Sequence, residues 1–385
     1  MIRTWKFVKF VGITLLIIVL VFSIKELIEV RNIKTYATPT EITIPVSEEK
    51  FYYSKLNEEE KELYAAIHNG IYRFEEEIVL IQDLDIQEAL TTQNVGDVLD
   101  YYMKDNPIVF YVDSHYTIEQ SNVMHYQISK LQLKYRYSEA EINIHVDVLE
   151  KELDRIISEK ITEEMTKYEM ELALHDYLLE NTEYYYCADV EDIPYEKHTA
   201  YSALINKSCV CDGFSKAFAL LLDKVKIENV VISGIVNSTT HSWNIINLDG
   251  QWYNVDVTSD NQNIDDQTKV KTHIFFNVTD EQLGNMYKKD DVDILPKCIS
   301  EDYNYYRFND YIIESTANIK TQLKNDITAQ REMEALEVLV ESPSDITQTL
   351  INTLYSLNFN NYKINDIKTI KYFKYANVYI FPKSN

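Results

Sequence analysis

Glycine and proline are scarce: seven of each in 385 residues. So few cannot build a collagen-like repeat or a low-complexity linker, so domains must pack or be joined by short polar stretches. Cysteine is scarcer, at four, too few for a disulfide scaffold. Positive charge is also in deficit. There are 37 basic residues against 62 acidic ones, a formal net charge of −25, and seven of the basic residues are arginine. Nucleic-acid binding needs Lys and Arg to neutralise phosphates, so this balance excludes that class of partner. No C-x-x-C pair and no H-E-x-x-H occurs. Asp256, Asp260, Asp265 and Asp266 cluster without the spacing of a calcium loop. No metal or cofactor is expected. What the chain has in quantity is tyrosine, thirty residues of a type suited to strands and interfaces.

The one long apolar run lies at the start. Arg3, Lys6 and Lys9 precede Phe10–Ile24, and Lys25 and Glu26 close it. Fifteen residues is short for a span, although Leu27 and Ile28 extend it and the flanking lysines can snorkel. The expectation is a single-pass anchor with its N-terminus inside and the bulk of the chain outside the cell membrane. Secretion after signal cleavage is the alternative.

Five regions follow from composition and periodicity. Residues 1–30 are the cytoplasmic tip with anchor or signal, and 31–56 a polar stalk. Residues 57–160 form an α/β module, 161–316 the core, and 317–385 a small C-terminal α/β module. In the first module, helices are expected over 56–74 and 86–104, a short strand over 108–112, and strand material over 123–137. Ser138 with Glu141 opens a helix to about Lys160. In the core, a helix over 162–180 carries His175 in its apolar stripe, where a hydrogen-bonded core histidine is the favoured reading. A strongly apolar helix spans 212–225, and a strand 230–235. Past the core, helices are expected over 318–332 and 344–357, with strands over 334–341 and toward Pro382.

Chemistry concentrates in the core. Cys211 falls at the start of the apolar helix, where unpaired N–H groups favour a thiolate and can receive an oxyanion. Gly213 allows close approach of backbone or substrate. Asp212 opposes the thiolate. Strands over 242–248 and 251–258 flank Asp249-Gly250, a strong hairpin signal. A two-residue turn pairs each position with the one that brings the sum to 499. His241 then faces Thr258 and Trp243 faces Asp256. This makes His241 and Asp256 diagonal neighbours on one face, about 7–8 Å apart. Cys211 as nucleophile, His241 as base and acid, and Asp256 as orienting carboxylate satisfy the logic of a covalent acyl-transfer site, with Trp243 as a shield from water.

Four segments carry a family resemblance: Ala200-Tyr201-Ser202-Ala203-Leu204; Val210-Cys211-Asp212-Gly213-Phe214; His241-Ser242-Trp243-Asn244; and Trp252-Tyr253-Asn254-Val255-Asp256-Val257-Thr258. Together they resemble the bacterial transglutaminase-like superfamily. His175-Asp176-Tyr177-Leu178 resembles a helix commonly found upstream of the cysteine in that family, and Asp105-Asn106-Pro107 and residues 273–306 resemble flanking parts of Firmicutes members. The resemblance implies an α+β, papain-like core with a Cys-His-Asp triad on Cys211, His241 and Asp256. It departs at Ser259, where a tryptophan is frequent, and at Asn254, where histidine is frequent; both are expected to affect packing near the site. Cys209 has no counterpart. The implied activity is that of a cell-surface cysteine acyltransferase or hydrolase acting on protein or peptide substrates, which could be wall-associated. A non-catalytic binding or structural module that retains the fold is the alternative.

Overall fold

The computed structural model describes residues 20–25 and 44–313 apart from 86, 124, 266 and 267. In the C-terminal part it describes residues 321, 325, 349, 352–353 and the strands 336–341, 367–372 and 375–380. Met1–Ile142 and Asn143–Asn385 form two separate units.

In the first unit, Asn57 accepts from the Glu60 amide while Glu60 reaches back to the Asn57 amide, and this reciprocal cap starts α1 (Glu58–Tyr72). Leu63, Tyr64, Ile67 and Ile71 bury one stripe of it. Strand β1 (Glu77–Asp83) follows, then α2 (Thr92–Asp105). Strands β2 (Thr117–Val123) and β3 (Tyr126–Gln132) complete an antiparallel sheet in the order β1-β3-β2. Two expectations need correction. Helix α2 starts at Thr92 rather than at 86, because Thr91 and Asn94 cap each other there. Residues 108–112 are not a strand; they leave the turn at Pro107 and contribute one isolated bridge, Val112 to Tyr135.

Helix α3 (Glu139–Lys160) opens at the Ser138–Glu141 pair, as its spacing predicts. In the second unit, Thr166 caps α4 (Lys167–Asn181), and the short parallel strands β4 (Glu183–Tyr184) and β5 (Ser208–Cys209) flank α5 (Ala200–Leu204). Helix α6 (Cys211–Lys224) buries Phe214, Ala217, Phe218, Leu221 and Leu222. Each fully buried Leu or Phe contributes about 1.5–3 kcal/mol, so this face anchors the helix. It packs on β6 (Asn229–Val236) and β7 (Thr239–Leu248), which with β8 (Gln251–Val255) and β11 (Tyr287–Lys289) form a sheet in the order β11-β6-β7-β8. Residues 242–246 of β7 are all buried, so this central strand is covered on both faces.

One-turn helix α7 (Val257–Asp260) ends the β8 segment and leads into the hairpin β9 (Asn261–Asp265) and β10 (Thr268–Lys271). Near the C-terminus, β12 (Ile312–Ile313), β13 (Leu336–Glu341), β14 (Ile367–Tyr372) and β15 (Tyr375–Ile380) form a sheet in the order β12-β13-β15-β14. The helices expected over 318–332 and 344–357 lie almost wholly outside the described residues, as does most of the apolar run 10–24. Among the described residues, no helix is long and apolar enough to cross a membrane.

Candidate active site

Val210 leaves β5 in an extended conformation, and its amide bonds to the Lys197 carbonyl at 2.9 Å. The next residue, Cys211, is the first of α6. Its thiol is therefore at the positive end of a buried helix whose first-turn N–H groups have no intrahelical acceptor. All four cysteines are unpaired. Cys211 is half-buried and Cys187 exposed, while Cys209 and Cys298 are buried. Burial pushes the Cys209 thiol well above its ordinary range and Cys298 up to about 12. Cys209 is thus withheld from the chemistry available to its neighbour two residues on.

Gly213 permits the close approach of backbone that its position predicts. A Cβ there would overlap the Cys209 Cβ and lie 2.9 Å from both the Cys209 sulfur and the Lys197 carbonyl. The glycine lets the first turn of α6 close onto β5. The glycine is itself buried.

The Asp249-Gly250 turn has both residues at positive φ, 52° and 84°, and pairs Leu248 with Gln251. The ladder keeps the expected register as far as Asn244 with Val255, then stops. Asp256 turns the backbone out of β8 and caps α7, so Thr258 is helical and does not face His241. The side chains converge nonetheless. The His241 Nε2 to Asp256 Oδ2 distance is 2.7 Å. With Nε2 on the carboxylate, Nδ1 is left for the thiol. Burial disfavours the imidazolium, but Asp256 and then Cys211 outweigh it, raising His241 to about 10. Burial likewise opposes the Asp256 carboxylate, and His241 and Ser259 pull it below the usual range.

Asp256 is 1% exposed, and its carboxylate is saturated with donors. The Ser259 amide donates to Oδ1 at 2.9 Å. The Ser259 hydroxyl and the Tyr287 hydroxyl donate to Oδ2 at 2.7 and 2.8 Å. Ser259 therefore touches the carboxylate itself, a closer role than neighbouring packing. Tyr287, on β11, is a site residue without any sequence signal: it lies 31 positions past Asp256. Trp243 is fully buried, with its ring stacked on His241 at 6.0 Å and its indole N–H donated to Asn254. Asn254 in turn donates to Asp280 and the Val278 carbonyl. The residue standing where histidine is frequent thus fixes the shield.

Asp212 remains a charged carboxylate beside the thiol, as its position in sequence predicts, with Lys216 and His198 as its partners. Burial would raise it, but Lys216 and His198 hold it below the carboxylate range, with His198 Nδ1 at 3.0 Å. Tyr184 borders the thiol from β4; burial and then Cys211 push its phenol up to about 12.

Residues 155–257 match the transglutaminase-like superfamily. They carry a domain of that type. The matched span includes Cys211, His241 and Asp256. Among solved structures, a TGase is 13% identical over 56% of this chain and 61% of its own, with a TM-score of 0.27. The chain therefore spans about three-fifths of that relative's length. A candidate cysteine protease from Cytophaga hutchinsonii is 12% identical over 48% of this chain and 72% of its own, with a TM-score of 0.24. No curated protein matches the sequence. In the transglutaminase-like domain the arrangement can do covalent chemistry: a thiol at a helix start, an imidazole beside it, and a buried carboxylate that orients the imidazole.

Proposed function

We propose that the protein is a cysteine acyltransferase or hydrolase that forms a thioester on Cys211 from a protein or peptide amide. The observation that carries this is the 2.7 Å contact of His241 with Asp256, with Cys211 coupled to the same imidazole at the start of α6. His241 takes the thiol proton and the resulting thiolate attacks the amide carbonyl. The carbonyl oxygen, now negative, is received by first-turn N–H groups of α6. His241 then protonates the departing amine, leaving the acyl group on sulfur. Water or a second amine attacks the thioester, giving hydrolysis or cross-linking, and returns the proton through His241. The basic residues before Phe10 and the apolar run after them support action at the cell surface, with the N-terminus inside.

The test is incorporation of a tagged primary amine into a glutamine-containing protein, run beside release of ammonia or peptide, with wild type and Cys211→Ala. A Cys211-dependent product in either channel is expected, with an acyl-enzyme visible by mass spectrometry at acid quench. Products that persist in Cys211→Ala would take the chemistry away from Cys211, and no acyl-enzyme with any amide donor would leave the binding-module reading in its place.

A further inference from the structure

A second group of chemistry-bearing side chains lies at the far end of α7 from Asp256. His175 and Asp176 come from α4, Asp260 ends α7, and His273 follows β10. His175 and His273 are buried, and Asp176 keeps 35% of its side chain exposed. The ligating atoms of His175, Asp176 and His273 all lie within 4.8 Å of one another.

We propose that His175 Nδ1, Asp176 Oδ1 and His273 Nε2 form a binding site for one divalent transition-metal ion of the zinc class. The Asp176 oxygen is 3.3 Å from His175 Nδ1 and 2.9 Å from His273 Nε2. Ligands about 2.0–2.1 Å from a shared zinc ion stand about 2.9–3.4 Å apart for angles between perpendicular and tetrahedral. Both distances fall in that window. The outer partner is also in place. The second nitrogen of His175 meets Asp260 Oδ2 at 3.2 Å, the carboxylate–histidine arrangement that fixes the ring of a metal-bound imidazole. Asp260 is itself held by the Thr272 hydroxyl at 2.8 Å and the Phe275 amide at 3.1 Å. The His273 ring is fixed by stacking on Tyr305 at 3.9 Å.

Two imidazoles and one carboxylate are borderline donors, suited to zinc or cobalt and poorly suited to calcium, which takes oxygen ligands. Asp176 and Asp260 together balance one divalent ion. The exposed edge of Asp176 gives a way in. The ion would tie α4 to the segment after β10 and, through Asp260, to α7, the turn whose Ser259 donates to the Asp256 carboxylate. The same distances also suit hydrogen bonds from two imidazoles to one carboxylate, and the experiment separates these arrangements.

The full-length chain is first alkylated at its reactive thiols, so that the Cys211 sulfur cannot compete for metal. Titration with Co2+ is expected to give one equivalent of uptake, a ligand-field absorption without a thiolate charge-transfer band, and a rise in Tm. Zn2+ should displace it one for one, while Ca2+ should leave Tm unchanged. Asp176→Asn keeps the side-chain shape at a half-exposed position and should weaken uptake at least tenfold. Absence of the absorption in the alkylated wild type, equal uptake by Asp176→Asn, or an equal Tm rise with Ca2+ would each overturn the site and leave a hydrogen-bonded cluster.

Discussion

Four hydrogen bonds converge on the Asp256 carboxylate, and three of their donors belong to Ser259 and Tyr287, outside the triad. A hydrogen bond to a charged group contributes about 1.5–3 kcal/mol. Tyr287→Phe should therefore lower kcat/KM about tenfold while leaving KM for substrate nearly unchanged, and should shift the pH profile because the carboxylate acts through His241. Steady-state kinetics across pH will check it; an unmoved profile would make Tyr287 a packing residue. The His241 titration gives a second prediction at this scale. Its folded value of about 10 lies above the ordinary 6.5, so the stability it contributes is fully present below about 6.5 and is lost as pH rises through about 10. Asp256→Asn removes the negative charge that holds the proton on the imidazole, so the slope of Tm against pH between 7 and 10 should flatten in that variant. Thermal melts at stepped pH read this out. None of the Tyr287 contact is legible in sequence, because nothing in the spacing of a β11 residue says which carboxylate it will meet. Ser259 is legible as a departure from the family pattern, yet its hydrogen bonds depend on the backbone turning at Asp256, and periodicity does not report that turn.

At the scale of elements, the Asp249-Gly250 turn shows how far local chemistry reaches. Both residues adopt the positive φ that such a turn needs, and the register follows from it. What the ladder could not reveal is where it ends: α7 interrupts it at Asp256, and the His–Asp contact forms through side-chain reach instead. The helix starts at Asn57 and Ser138 are legible because caps are local, whereas α4 begins at Lys167 behind the Thr166–Glu169 cap and not at the expected 162. Thr166→Ala should destabilise by about 1 kcal/mol in urea titration without moving the site. The cluster of His175, Asp176, Asp260 and His273 is not legible, since His273 lies 97 positions past Asp176 and no spacing rule joins them. Gly213 offers a sharper test of element packing. Gly213→Ala should cost about 1–3 kcal/mol by overpacking against Cys209. Cys209→Gly added to it removes the overlapping Cβ and should recover part of that loss, the Lys197 carbonyl contact remaining. If the double variant is no more stable than Gly213→Ala, the cost arises from the backbone rather than from the close approach of α6 to β5.

For the whole molecule, charge decides more than shape. A net charge of −25 sets up a negative field that a substrate must cross before it meets Cys211. The segment between β4 and α5, just before the nucleophile in sequence, adds Asp189, Glu191, Asp192 and Glu196. Such a field raises the encounter rate of cations and lowers that of anions, and salt screens it over about 8–10 Å near physiological strength. Lysine-rich peptides should therefore show kcat/KM values that fall as salt is raised from about 20 to 300 mM, whereas acidic peptides of the same length should show a rise. The effect belongs to encounter rather than to chemistry, so single-turnover rates at saturating substrate should stay level across the same range. A reversed pattern, rising for lysine-rich and falling for acidic peptides, would mean that the field at the site is set by local groups such as Lys216 and Lys197, and the same sign for both would mean that salt acts through something other than this field. Under the proposed acyl transfer, the acceptor that would best exploit the field is a lysine amine, protonated while it approaches and deprotonated by His241 on arrival.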